Sequence, residues 1–268
     1  MDIREILLQL LQCLDTPKLR ELSVIPWASP VLSFGDLSSS RVATLGLNPS
    51  NREFVDASGH ELMGSERRFH TLNSLGIKKW SEATGEDLDQ IISSCYGYFG
   101  GNSYDSWFRA LEKLFIEANV SYYGMFSDAC HLDLVPFATE TKWGELSLQQ
   151  RSRLLEMSGD ILGWLLRDSG IEVLVLNGKS VIENLQAITG TSFKREIVSD
   201  WVLPRRSSKG VTGYSYKGKI SQVSGVKLGR EILVLGYNHN LQSSFGVTNE
   251  VKTSIQGWIS QNTREAFC

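Results

Sequence analysis

The chain has 268 residues, of which 41% are hydrophobic, and a formal net charge of −3 at pH 7. This composition supports a substantial core, and no apolar run reaches membrane-spanning length, so we expect no membrane partner. The four cysteines are scattered without a close pair, which argues against a zinc site and is typical of free thiols in a reducing cytoplasm. We therefore expect a cytoplasmic protein without a metal or other cofactor, and a single domain over residues 1–268.

The first predicted element is an amphipathic helix that opens a helical segment, residues 1–40, and lacks the layout of a secretory signal. The first core strand follows: Val42–Leu45 is an apolar run that stops at Gly46 and turns through Asn48 and Pro49. Ligands bind at the carboxyl ends of the strands in open α/β sheets. Asn48 is therefore a candidate functional residue, although Asn and Pro are also ordinary turn residues.

Three later apolar runs repeat this pattern of a strand followed by a polar or glycine turn. They occupy residues 128–136, 171–178 and 231–244. Helical patterns lie between the runs, the clearest at Tyr104–Ala118 and Leu146–Leu166. Strands that alternate with helices at wide spacing predict an α/β fold with a parallel sheet and crossover helices.

Residues 194–230 form a basic segment before the last strand. They contain nine Lys or Arg against two acidic residues, together with many Gly and Ser, and we expect a loop-rich insertion. Cations interleaved with aromatic residues suit phosphate contact and base stacking, although a solvated surface hairpin is the alternative. The candidate DNA-binding residues here are Arg205, Arg206, Lys209, Lys217 and Lys219, with Tyr214 and Tyr216 beside them.

Three sequence features together resemble the uracil-DNA glycosylase superfamily. They are Gly46-Leu-Asn-Pro-Ser50, the segment ending in Val135-Pro136, and the polar motif Asn238-His239-Asn240-Leu241 after the last strand. The resemblance implies a three-layer α/β/α sandwich with a central four-stranded parallel sheet. It also implies a monomeric, monofunctional DNA glycosylase that flips a base out of duplex DNA and hydrolyses its N-glycosidic bond, leaving an abasic site.

The resemblance also implies roles for individual residues. Asn48 would orient a water at the anomeric carbon, and either His239 or Asn238 would hydrogen-bond the departing base. Phe54 or Phe69 would form an aromatic floor for the base. The residues expected to meet DNA after the last strand are Leu241, which with Phe245 is a candidate wedge for the vacated stack, and Ser243 and Ser244. Core packing or a loop position is the alternative for each of these residues.

The candidate base-reading residues depart from the pattern of uracil repair. Asp133 stands where that family reads the pyrimidine edge with an Asn, and a carboxylate suits the exocyclic amine of cytosine. Because cytosine N3 is also an acceptor, we expect a buried, protonated Asp133 to share a proton with N3, with His131 as its neighbour. Ser50 stands where the strict uracil enzymes of that family have a bulky aromatic residue. In those enzymes the aromatic residue blocks substituents at C5 of the base. These features favour a 5-substituted cytosine, hydroxymethylated or glucosylated, as in phage DNA, with Tyr214, Tyr216 and Asn102 as candidate contacts for the added sugar.

Three other functions remain open at this point. One is repair of uracil or another deaminated base, and the second is a module that binds modified DNA without cutting it. The third is a small-molecule enzyme on an α/β scaffold, although no glycine-rich phosphate loop supports it.

Overall fold

A computed structural model of the chain describes residues 1–124, 128–205, 208–242 and 246–267. Within these residues, six strands form one mixed sheet. They are β1 (Val42–Gly46), β2 (Ala129–Asp133), β3 (Val173–Asn177), β4 (Lys194–Arg205), β5 (Ser208–Val223) and β6 (Val226–Tyr237).

The strand order across the sheet is β2-β1-β3-β6-β5-β4. The pairs β1–β2, β1–β3 and β3–β6 are parallel, whereas β5 is antiparallel to both β6 and β4. The α/β fold is therefore confirmed, but the sheet is larger than the four-stranded parallel sheet that the resemblance implies. The additional strands come from the basic segment 194–230, which is paired β structure and not the loop-rich insertion that its Gly and Ser content suggested.

Helices lie on both faces of this sheet, and no helix of the described ranges has the length and apolarity needed to cross a membrane. The helices are α1 (Ile3–Leu14), α2 (Pro17–Arg20), α3 (Leu72–Leu75), α4 (Gly85–Tyr96), α5 (Asp105–Glu112), α6 (Leu148–Arg167), α7 (Lys179–Thr189) and α8 (Asn249–Ala266). The helix predicted over Tyr104–Ala118 is shorter than expected, because α5 gives way to a 3₁₀ turn over Lys113–Ala118.

Alternation along the buried strands creates two hydrophobic cores. In β1, Ala43 and Leu45 belong to one core while Val42 belongs to the other. Leu174 and Val175 of β3 divide in the same way, because successive strand residues point to opposite faces of a sheet. The first core contains residues of α6 and α7 and the second contains residues of α8, so the sheet is covered on both faces as parallel sheets generally are.

The β4–β5 hairpin extends past the carboxyl ends of the parallel strands. Ser215 of β5 pairs with Tyr237, the last residue of β6, whereas pairing with β4 continues back to Ser208. Residues 208–214 therefore project beyond the edge of the sheet at which β1, β2, β3 and β6 all end.

Candidate functional site

The loops that follow the four parallel strands meet at one edge of the sheet. The amides of Leu134 and Val135 donate to the carbonyls of Gly46 and Leu47, which ties the loops after β2 and β1 together. The Gly178 amide donates to the carbonyl of Tyr237, which does the same for β3 and β6. Polar side chains on these loops are the candidates for a functional site, because this edge binds ligands in open α/β sheets.

Asn48 is held at this edge in one orientation. Its amide nitrogen Nδ2 faces three oxygens: the Thr139 hydroxyl at 3.0 Å, the Pro49 carbonyl at 3.1 Å and the Phe137 carbonyl at 3.3 Å. The Thr139 hydroxyl donates to the Thr141 carbonyl, so it offers Asn48 only a lone pair. Because all three oxygens can only accept a hydrogen bond from Asn48, the NH₂ group of its side chain must face them. Oδ1 therefore points in the opposite direction. None of the hydrogen bonds among the described residues uses Oδ1, and Asn48 is partly exposed, so that oxygen is available to an incoming group.

Ser50 caps the short turn after Asn48. Its hydroxyl accepts from the amide of Arg52 at 3.2 Å at the start of the 3₁₀ helix Asn51–Glu53. Ser50 is exposed and, with Asn48 and Trp143, borders a shallow pocket of about 140 Å³. The short side chain leaves this rim open.

Asp133 lies at the end of β2 directly beside Gly46, its register partner on β1. Its side chain is only 4% exposed, and Nε2 of His131 lies 3.5 Å from Oδ1. A β-carbon on Gly46 would overlap Oδ1 of Asp133 and approach Nε2 of His131 to 2.9 Å. Glycine at position 46 thus makes room for the carboxylate against the β1 main chain.

His131 is fixed from its other nitrogen. Nδ1 lies 2.7 Å from the hydroxyl of Thr44, which is hydrogen-bonded in turn to the hydroxyl of Tyr122. The Trp107 ring lies 5.0 Å from the imidazole in an edge-to-face arrangement. The imidazole therefore lies between a buried hydroxyl pair and the Asp133 carboxylate.

Phe54 and Phe69 lie in the aromatic core behind this edge. Each is 1% exposed, and their rings are 5.7 Å apart. Phe69 stacks on Tyr98 with centroids 5.1 Å apart and an interplanar angle of 12°. Neither ring presents an open face in this conformation, so a base would reach either ring only if the covering side chains move.

Glu53 is a buried acid that the sequence interpretation missed. It is 3% exposed, accepts a 2.8 Å hydrogen bond from the Tyr98 hydroxyl, and has Nε of Arg68 at 3.9 Å. The pKa of its carboxyl is raised to about 7: burial is the main cause, the negative charge of Asp133 adds to it, and the Tyr98 bond and Arg68 oppose both effects. The only signal in the sequence was an acid next to Phe54 in the loop after Asn48, which a single sequence cannot separate from a solvated loop residue.

Asn238 and His239, the alternatives for contacting the departing base, both bond to main chain of the β4–β5 hairpin. The Asn238 side chain accepts from the Tyr214 amide at 2.7 Å and donates to the Thr212 carbonyl at 2.9 Å. His239 is 2% exposed, and its Nε2 donates to the Trp201 carbonyl at 2.7 Å. Burial lowers the pKa of His239, and the hydrogen bond to Trp201 opposes that effect, so the ring is neutral at pH 7.

Leu241 and Gln242 follow on the same loop. Leu241 is 6% exposed and belongs to the core on the α8 face of the sheet, and its amide donates to Oδ1 of Asn177. Gln242 accepts from Nδ2 of Asn177 at 2.7 Å and donates to the Trp107 carbonyl at 3.3 Å. These bonds hold the loop after β6 against the end of β3 and the start of α5.

The candidate basic side chains that the structure describes are spread along the hairpin and do not form one patch; they are Arg205, Lys217 and Lys219. Arg205 is at its tip, and its guanidinium is 2.8 Å from the position of a β-carbon at Gly246. Lys217 donates to Asn262 of α8 at 2.6 Å, and Lys219 pairs with Glu231 at 2.7 Å, both beside the body of the sheet.

Of the other candidates near DNA, Asn102 is exposed and its amide donates to the Glu66 carbonyl at 3.0 Å. Tyr214 lies at the edge, with Arg195 over its ring at 4.8 Å, and Tyr216 is buried. Arg206, Ser243, Ser244 and Phe245, and the side chain of Lys209, lie outside the described part of the structure.

Neither a scan against models of protein families nor a search of curated proteins finds a match for this chain. Within the described ranges, no group of three or more His, Cys, Asp or Glu side chains is arranged to hold a metal ion. The groups available for chemistry at this edge are therefore an oriented amide, a carboxylate beside an imidazole, a second buried acid and an aromatic core.

Proposed function

We propose that this protein is a DNA glycosylase that hydrolyses the N-glycosidic bond of a flipped-out base, best matched by a 5-substituted cytosine. The single observation that carries the proposal is the orientation of Asn48. Its nitrogen is anchored by three acceptors, and its oxygen is free to accept a proton of a water molecule. A water that donates to Oδ1 keeps a lone pair for attack on the sugar.

A neutral amide is sufficient for this reaction because the nucleotide sugar develops positive charge as the base departs. The cationic carbon needs a correctly placed nucleophile more than a strongly activated one, and placement alone lowers a barrier considerably. Asn48 cannot remove a proton as a carboxylate can. The proposal therefore assigns it orientation of the water and leaves proton loss to solvent.

The preference for cytosine rests on Asp133. A buried carboxylate accepts hydrogen bonds and donates none when ionised, which matches the exocyclic amine of cytosine and opposes the O4 carbonyl of uracil. The exposed, small Ser50 on the rim leaves space for a substituent at C5. In this proposal the four parallel strands are the central layer of the three-layer α/β/α sandwich of the uracil-DNA glycosylase superfamily.

The DNA path in this proposal runs along the carboxyl edge under the projecting hairpin. Arg205 at the tip supplies positive charge beside the loop after β6, where phosphate contact would position the duplex. Lys217 and Lys219 would contribute a weaker, longer-range attraction, since each already bonds to a partner.

The direct test is incubation of the purified protein with duplex DNAs that contain uracil, cytosine, 5-hydroxymethylcytosine or glucosylated hydroxymethylcytosine. Released bases are identified by mass spectrometry and abasic sites by alkaline cleavage. We expect release of a 5-substituted cytosine. Release of uracil alone would replace the proposal with deaminated-base repair, and no released base from any DNA would refute glycosylase activity.

A second candidate function is a module that binds modified DNA without cutting it. One observation favours it: Asn238 and His239 bond to hairpin main chain, so in this conformation neither side chain is free to stabilise a departing base. Selective retention of modified duplex without released base would support this alternative.

A further inference from the structure

Glu53 is not used by the mechanism above, yet its surroundings are those of a binding group. One carboxyl oxygen, Oε2, faces the Tyr98 hydroxyl at 2.8 Å and Arg68 at 3.9 Å. Arg68 is itself fixed, because Nε donates to the Asn102 carbonyl at 2.7 Å and Nη1 to the Arg52 carbonyl at 2.6 Å. Among the described residues, the one recorded hydrogen-bond donor to Glu53, Tyr98, and the nearby Arg68 charge thus both face Oε2, and no donor faces Oε1.

Asp133 is under-satisfied in the same region. Its side chain is 4% exposed, and in the described ranges its only polar contact is His131 at 3.5 Å, which is long for a hydrogen bond. An ionised carboxylate buried without donors is strongly unfavourable, and buried polar groups in native proteins generally have partners. A nearly donorless buried carboxylate at the ligand-binding edge therefore points to a ligand that brings its own donor.

We propose, resting on the glycosylase function above, that Glu53 and Asp133 together read the Watson–Crick edge of cytosine: Asp133 accepts from the exocyclic amine, and Glu53 donates from its carboxylic acid to the adjacent ring nitrogen. The pair thus supplies one acceptor and one donor. Glu53, on the loop after Asn48, is in this account a specificity-determining residue.

One of the two acids must carry a proton because of the groups that cytosine presents. Cytosine presents a donor at N4 and an acceptor at N3. Two ionised carboxylates would leave N3 facing negative charge, whereas one protonated acid removes that repulsion. The raised pKa of Glu53, about 7 with burial as its main cause, agrees with Glu53 as the acid that carries the proton.

The groups that face Glu53 determine the pH at which its carboxyl loses this proton. Burial and the charge of Asp133 favour the protonated acid, and Tyr98 and Arg68 favour the ionised acid. Removal of the Tyr98 hydroxyl should therefore raise the pKa of Glu53 and extend base recognition to higher pH.

The test measures the rate of base release from a duplex containing one glucosylated hydroxymethylcytosine, between pH 6 and pH 9, for wild type, Glu53→Gln and Tyr98→Phe. Wild type should lose roughly 50-fold in rate between pH 7 and pH 9 as the acid with pKa about 7 ionises. Glu53→Gln should lack this alkaline decline, because the Tyr98 hydroxyl donates to the amide oxygen and the NH₂ then turns toward the base. Tyr98→Phe should move the decline to higher pH.

Glu53→Ala removes the carboxyl altogether and should reduce the rate of base release at every pH. Its effect on thermal unfolding should be smaller than its effect on that rate. If Glu53→Gln shows the wild-type decline, or Tyr98→Phe leaves its midpoint unchanged, Glu53 does not donate to the base and the inference is wrong. Wild type that releases no base at any pH would instead refute the proposed function. Should Glu53→Gln fail to fold, the Tyr98→Phe midpoint alone decides.

Discussion

The buried Glu53 carboxyl should make the stability of the free protein depend on pH, whatever the protein acts upon. Its pKa is about 7 in the folded chain against 4.5 for an ordinary glutamate. Between these values the folded state holds a proton that the unfolded state has released. The unfolded state therefore binds fewer protons, and the free energy of unfolding falls as pH rises through this interval.

The size of the effect follows from the shift. Each pKa unit corresponds to about 1.4 kcal/mol, so Glu53 alone should cost wild type about 2.5 kcal/mol of unfolding free energy between pH 5 and pH 8. Glu53→Gln keeps an oxygen for the Tyr98 hydroxyl and cannot ionise. The variant should therefore gain stability relative to wild type by that amount across the same interval.

Urea unfolding of wild type and Glu53→Gln at several pH values measures this difference directly. Glu117→Gln, which removes an exposed carboxyl, is the control and should follow wild type at each pH. A stability difference between Glu53→Gln and wild type that stays constant from pH 5 to pH 8 would refute the assignment of a raised pKa to Glu53.

Three further substitutions test other parts of the structure. Gly46→Ala places a methyl against the Asp133 carboxylate and should cost about 2 kcal/mol in urea unfolding, and an unchanged midpoint would contradict the close contact. Arg230→Met removes a guanidinium that donates to four main-chain carbonyls at the end of α6 and should cost about 3 kcal/mol, whereas Lys227→Met on the same strand should be nearly neutral. Asn238→Ala breaks two bonds to β5; it should cost about 2 kcal/mol and speed hydrogen exchange at the hairpin tip, and unchanged protection there would show that the tip is held by other contacts.

Much of the sheet could be predicted because buried parallel strands leave a strong sequence signal. Val42–Leu45 and Ile171–Leu176 are short apolar runs that end in Gly or Asn turns, and they correspond to β1 and β3. Residues 194–230 were misread because Gly and Ser suggested loops. In the structure, Gly213 and Gly218 lie within β5, where a side chain would overlap Trp201 and Phe193 respectively.

The candidate site could be predicted only in part from the sequence, for a different reason. The place of Asn48 at the sheet edge could be predicted because a turn after a strand marks a position along the chain, whereas the burial of Glu53 depends on Tyr98 and Arg68, which are brought to it only by folding. The roles of Asn238 and His239 depended on which way their side chains face. That direction is determined by hydrogen bonds to β5 and β4, which no local pattern encodes.

The most direct test of the central claim compares wild type with Asn48→Ala in single-turnover base release from a duplex containing one 5-substituted cytosine. Asn184→Ala, which removes a partly exposed amide on α7, is the control and should match wild type. We expect Asn48→Ala to release base at least about 100-fold more slowly while binding the same duplex with nearly wild-type affinity. A rate within a few-fold of wild type would show that Asn48 does not orient the attacking water.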